Sequence, residues 1–181
     1  MMTLEEQIFS RHLRKQILLD SNLLLVLVTG IFDTRLLGKY KRVAGYTGED
    51  HTLLVQTVSR FGTLLTTPHL LTEVGNLANN SFPEWVRADW SIAFAGFLQA
   101  AGVRSVVEER WIEGASLALR QEFPRFGITD AAVSACASDA LVLTQDYRLS
   151  GWLRSVGVDV LNFQDLRSMQ HAIGQRPHDS S

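Results

Sequence analysis

Apolar residues along the chain fall into two alternating kinds of run. Short continuous runs, QILLD at residues 16–20, TLLTT at 63–67 and ALVLT at 140–144, suit strands buried on both faces of a sheet. Longer segments with helical spacing lie between them. Residues 23–37 read as a helix with a break near Gly30, and Thr47 with Asp50 forms a capping-box pattern opening a helix to about Phe61, stopped by Gly62. Thr67 followed by Pro68 caps a helix to about Asn80, and Ser81 with Pro83 starts another that Gly102 ends. A short strand is expected at 103–107, a helix at 115–123, a helix of small residues capped by Thr129, a helix at 148–156 and a last strand at 158–161. Strand and helix therefore alternate. The pattern predicts a three-layer α/β sandwich with a mostly parallel central sheet flanked by helices, which binds ligands outside the carboxyl ends of its strands where the strand order switches. It also predicts one domain over residues 1–173 and a disordered polar tail at 174–181.

Composition narrows the setting. At 181 residues and 46% hydrophobic, the chain can bury the core of one ordinary domain. The single Cys136 excludes a disulfide framework and a cysteine-rich zinc cluster, and the polar start, with EEQ and RHLRK, is unlike a secretory leader, so a cytoplasmic protein is expected. The longest apolar run, LLLVLV at 23–28, is far short of the roughly 20 residues that span a bilayer, so no membrane partner is expected. A net charge of −2 argues against nucleic-acid binding over the whole surface but leaves room for local basic patches. Two are visible: Arg11, His12, Arg14 and Lys15 ahead of the first strand, and Arg35, Lys39, Lys41 and Arg42 in RLLGKYKR, each of which also suits a solvated face.

Four acids stand out by position. Asp20 ends the first strand and Asp146 lies just past ALVLT, so in a parallel sheet both project from one edge. Glu73 falls about 40° outside the apolar arc of its helix, flanking the buried face. Asp130 opens the small-residue helix, on the side that also carries Ser134 and Ala137. Each has an ordinary alternative: Asp20 as a helix cap, Asp146 as a turn residue, Asp130 as a first-turn acid. Gathered in one cleft, four carboxylates would repel one another and raise their pKa values unless a divalent cation neutralised them, which calls for Mg²⁺ or Mn²⁺.

The motifs ILLDSN, LLTEVGNL, ITDAAVSACA and LVLTQD, in this order and in these element contexts, resemble the successive acidic motifs of PIN-domain nucleases across residues 16–163. The resemblance implies a metal-dependent endoribonuclease that hydrolyses RNA, in many bacterial members a toxin silenced by an antitoxin. RNA, an antitoxin and a second copy of the chain are then the expected partners. Asp20, Glu73, Asp130 and Asp146 become the catalytic and metal-binding residues, Asn22 and Thr144 the groups that hold the carboxylates, and Arg35, Lys39, Lys41 and Arg42 an RNA-binding patch. Residues 29–49 look like an expansion relative to the compact toxins. Asp139 is a further acid if its turn folds toward the cleft.

Other chemistries lack residues. The five histidines show no metal-ligand spacing, Cys136 sits mid-helix as an inert thiol, and GxSxG, GK[ST] and GxGxxG motifs are absent from the sequence. Trp85, Trp90, Trp111 and Trp152 are scattered and suit core or interface positions. A silent RNA- or protein-binding module and a flap-type DNA nuclease remain as alternatives, the latter expected to carry a longer basic arch than RLLGKYKR.

Overall fold

The computed structural model describes residues 4–12, 15–99 and 106–174. Helix α1 (Leu4–His12) precedes β1 (Gln16–Leu19), and α2 (Ser21–Asp33), a 3₁₀ turn (Thr34–Leu36) and α3 (Gly48–Val58) follow. Then come β2 (Thr63–Thr66), α4 (Pro68–Ser81), α5 (Glu84–Gln99), β3 (Val106–Glu109), α6 (Gly114–Ala118) and α7 (Phe123–Cys136). The chain closes with β4 (Ala140–Thr144), α8 (Tyr147–Ser155), β5 (Val160–Asn162) and α9 (Phe163–Gly174). All strand pairs are parallel and the order is β3-β2-β1-β4-β5, so the expected α/β sandwich is present. The chain adds strands outward on one side of β1, then crosses back to add β4 and β5 on the other. Adjacent β1 and β4, paired from Gln16↔Ala140 to Leu19↔Leu143, frame the switch in strand order.

Alternation along each strand divides the core. Ile17, Leu19, Leu141, Leu143 and Leu161 face one apolar layer, Leu18, Leu65, Val142 and Val160 the other. The first layer is dominated by α2, whose residues 23–28 are at most 2% exposed. A helix apolar all round has to be buried, and α2 lies in contact with α3, α4 and α5. Each such Leu or Val contributes about 1.5–3 kcal/mol by leaving water. The second layer packs Val133 and Cys136 of α7 and Leu149 and Leu153 of α8 onto the sheet.

Several boundaries differ from expectation for local reasons. Helix α2 runs unbroken through Gly30 to Asp33, because the His51 ring occupies the space of the missing side chain: a Cβ at Gly30 would lie 2.1 Å from His51 Cδ2. Helix α3 has the expected Thr47–Asp50 capping box but ends at Val58. The helix at 115–123 is reduced to α6, and α7 starts early, at Phe123, bending at Gly127 (φ 83°). The second part of α7 thus begins after a glycine kink, and Thr129 makes no capping hydrogen bond among the described residues. The last strand starts at Val160, two residues later than expected, and α9 follows where none was expected. Arg167 secures α9 by forking onto Asp50, with both nitrogen–oxygen distances 2.5 Å, and donates to the Gly45 carbonyl at 3.0 Å. Gly102, Arg14 and residues 103–105 and 175–181 lie outside the described residues.

Residues 34–46, within the segment expected to be an expansion, are folded against the domain. Leu36, Leu37, Val43 and Tyr46 are buried, and Gly38, at φ 79°, donates its amide to the Val43 carbonyl at 2.9 Å. Its return places Tyr46 against Phe163, with ring centroids 6.3 Å apart.

Candidate functional site

Asp20 and Asp146 occupy equivalent places after the two strands that frame the switch, and both cap the helix that follows. Asp20 is 5% exposed; its Oδ1 accepts the Leu23 amide at 2.8 Å, and its Oδ2 accepts the Thr144 hydroxyl and the Gln145 amide, the latter at 2.9 Å. Asp146 is exposed, and its Oδ1 accepts the amides of Arg148 at 2.6 Å and Leu149 at 3.1 Å. Thr144 joins the two, donating to Asp20 while its oxygen accepts the Asp146 amide at 2.9 Å. The expected support role of Thr144 therefore has a geometry. Burial pushes the Asp20 carboxyl above its ordinary value, and the three hydrogen bonds from Thr144, Leu23 and Gln145 only partly offset it.

Glu73 reaches the same edge from α4. Its Oε2 accepts the Ser21 hydroxyl at 2.8 Å. Asn22, expected to hold a carboxylate, makes no side-chain hydrogen bond among the described residues; α2 begins at Ser21, and one residue on a helix turns the side chain by about 100°. Asp130, just beyond the Gly127 kink, is perturbed in the same direction as Asp20. Its carboxyl is pushed up to about 7, first by burial and then by the charges of Glu73, Asp146 and Asp20, against the opposing pull of Arg148. The other three carboxylates are thus each felt at Asp130. An open cleft of about 330 Å³ between α4 and α7 borders it, lined by His69, Thr72, Glu73, Asn76, Ile128 and Thr129 with Pro68. Among the described residues no three His, Cys, Asp or Glu side chains are arranged to hold a metal ion. The reason is visible in the hydrogen bonds: Asp20 and Asp146 are turned toward helix amides and Glu73 toward Ser21.

Tyr46 is a neighbour that sequence reasoning missed. It is 5% exposed, and its phenol is held above its ordinary value by burial and then by Asp20. The Arg167 guanidinium lies 5.6 Å from its ring centroid. The one sequence signal was the apolar spacing of Leu36, Leu37, Val43 and Tyr46, which marks residues 29–49 as packed rather than solvated.

The remaining candidates separate cleanly. Arg35 is taken up by a two-pronged pair with Asp33, at 2.9 Å on each prong. Lys39, Lys41 and Arg42 are exposed and form no ion pair among the described residues. Asp139 pairs with Arg110 at 2.6 Å, and Arg110 also donates to Gln16 at the start of β1, so this acid belongs to the opposite edge of the sheet. Cys136 is fully buried and its thiol is pushed up by burial, as an inert core residue would be. Trp90 is core, its indole donating to Thr29 at 3.1 Å, whereas Trp85 and Trp111 are 73% and 79% exposed. No helix of the described residues is long and apolar enough to cross a membrane. No protein-family model matches the sequence, and neither a curated protein nor a solved structure is significantly similar to it.

Proposed function

We infer that the protein is a metal-dependent endoribonuclease of the PIN-domain kind, acting in the cytoplasm, with Asp20, Glu73, Asp130 and Asp146 at its centre. The observation that carries this reading is their convergence in charge: three acids from three different elements act on Asp130 at the switch in strand order, the place where open parallel sheets bind ligands. Unpaired like charges at such a place are costly, and sites of this kind concentrate where chemistry is done.

The donor set is entirely carboxylate oxygen, the kind that Mg²⁺ and Mn²⁺ favour. Asp20, Glu73, Asp130 and Asp146 would hold the ion, Glu73 giving up its hydrogen bond from Ser21 to do so. A bound ion would supply an activated water and neutralise the charge that develops on a phosphodiester. The chain's own contribution is placement. Thr144 and the Leu23 and Gln145 amides keep Asp20 in one rotamer, Ser21 aims Glu73, and the metal-free Asp130 carboxyl holds a proton near neutrality that ion binding would displace. RNA is the substrate this reading implies, with a toxin role, an antitoxin and a homodimer following from the same resemblance.

The capping roles of Asp20 and Asp146 favour one rival, a module that keeps the acids for structure and binds without cutting. Incubation of labelled single-stranded RNA with purified protein separates the two. Cleavage with Mn²⁺, none with EDTA and none with Asp130→Asn supports the nuclease. Intact RNA at high enzyme and millimolar Mn²⁺ supports the silent module.

A further inference from the structure

A second feature borders the acids on the α7–α8 side. Six arginines of the described chain each pair with a carboxylate: Arg11, Arg35, Arg110, Arg120, Arg154 and Arg167. Arg125 and Arg148, like Arg42, Arg60 and Arg87, form no ion pair among the described residues, although Arg148 sits on the helix that Asp146 caps and its charge is felt at Asp130. Both turn instead to the Phe126 ring, with guanidinium carbons 5.0 and 5.8 Å from its centroid. Trp152 completes the group, its ring 6.0 Å from Phe126. The arrangement follows from local structure. Arg148 and Trp152 are four residues apart on α8 and share a face, and the Gly127 kink ends the first part of α7 directly after Phe126.

A guanidinium over an aromatic face is held by its plane while its N–H edges stay free for an acceptor. Had these arginines served to neutralise the acids, Arg148 would have closed an ion pair with Asp146 or Asp130. Two cations converging on one ring without a carboxylate between them instead form a site that a single anionic group would relieve, and the forked donors of arginine match a phosphate. We propose that Arg125 and Arg148, positioned by Phe126 and Trp152, bind a backbone phosphate of single-stranded RNA next to the one presented to the carboxylates. This assigns the principal phosphate contact to the α7–α8 surface rather than to RLLGKYKR, and it rests on the nuclease reading above.

The test is equilibrium binding of a fluorescent single-stranded RNA in EDTA, followed by anisotropy over a range of KCl, for wild type, Arg125→Ala, Arg148→Ala, the double variant, Arg148→Lys and an Arg60→Ala control, Arg60 being an arginine that lies over the Phe9 ring. The double variant is expected to lose roughly tenfold or more in affinity, and its log–log salt slope to fall by about 0.7 for each phosphate contact removed. Arg148→Lys should keep most of the salt slope, and Arg60→Ala should resemble wild type. Melting curves that overlay wild type establish that the variants are folded. Wild-type affinity and slope in the folded double variant, or no RNA binding by wild type even at low salt, would overturn the proposal. Failure of the nuclease reading looks different: RNA binding that depends on both arginines, with no cleavage under Mn²⁺.

Discussion

Asp50 and Asp130 are both partly buried aspartates near the start of a helical segment, and their carboxyls shift in opposite directions. Burial pushes Asp50 up, but the Arg167 guanidinium and the Thr47 groups outweigh it and hold the carboxyl below its ordinary value. Asp130 has no guanidinium or amide in hydrogen-bonding contact among the described residues; burial and three other carboxylates push it up to about 7. The difference is one of partners rather than of depth. At the α3–α9 seam a buried charge has been satisfied and ties α9 to the domain. At the α4–α7–α8 edge three carboxylates are felt at Asp130, and the more distant pull of Arg148 does not offset them.

Removing the partner at the satisfied site should have the largest effect. Arg167→Ala leaves Asp50 almost buried without its counter-charge and releases α9, and urea denaturation is expected to show a loss of about 2–4 kcal/mol. A loss below about 1 kcal/mol would mean that the fork onto Asp50 is a surface pair of little worth.

The gathered site should respond with the opposite sign. Because the folded Asp130 carboxyl titrates above its unfolded value, the folded state holds the extra proton between pH 3.8 and about 7, and the metal-free protein loses stability from this group as pH rises through that window. Asp130→Asn removes the effect. At pH 8 without metal it should stabilise the protein by about 1–2 kcal/mol, after allowance for screening at a partly exposed site, and at pH 4 by close to nothing. Asp50 runs the other way: its depressed carboxyl contributes stability that is present above pH 3.8 and lost as pH falls below it. Equal stability of Asp130→Asn and wild type at both pH values would dissolve the contrast.

Smaller effects test how the acids are held. Thr144→Val removes the donor to Asp20 and the acceptor for the Asp146 amide, with an expected cost of about 1–2 kcal/mol, whereas Ser21→Ala removes one part-buried bond to Glu73 and should cost under about 1 kcal/mol. If the two hydroxyls serve the site, each variant weakens divalent-ion binding by more than these figures alone would suggest, which titration calorimetry would show.

Much of this was legible in the chain. β1, β2 and β4 were readable because strands buried on both faces are short unbroken apolar runs, and the Thr47, Thr67 and Pro68 signals act within one turn of helix. Gly30 misled because a glycine in a helix reads as a break until the partner filling its space is known, here His51 from α3. Helix α9 was missed because its anchor, Arg167 on Asp50, joins positions 117 residues apart. At the site, the three aspartates are legible from their place at the ends of expected elements and Glu73 from its position beside the apolar arc of α4. Ser21 in place of Asn22 turned on where α2 begins, and Tyr46 and the Arg125–Arg148 pair on side chains meeting across elements, which spacing along the chain does not encode.

If the four carboxylates act as one cation-binding group, the Asp130 carboxyl carbon followed by NMR through a pH titration will respond to Mg²⁺. The expected midpoint is near 7 without metal and more than one pH unit lower with saturating Mg²⁺, since the ion binds the ionised form. A midpoint near 3.8 in both conditions, or a raised midpoint that Mg²⁺ leaves unmoved, would contradict it.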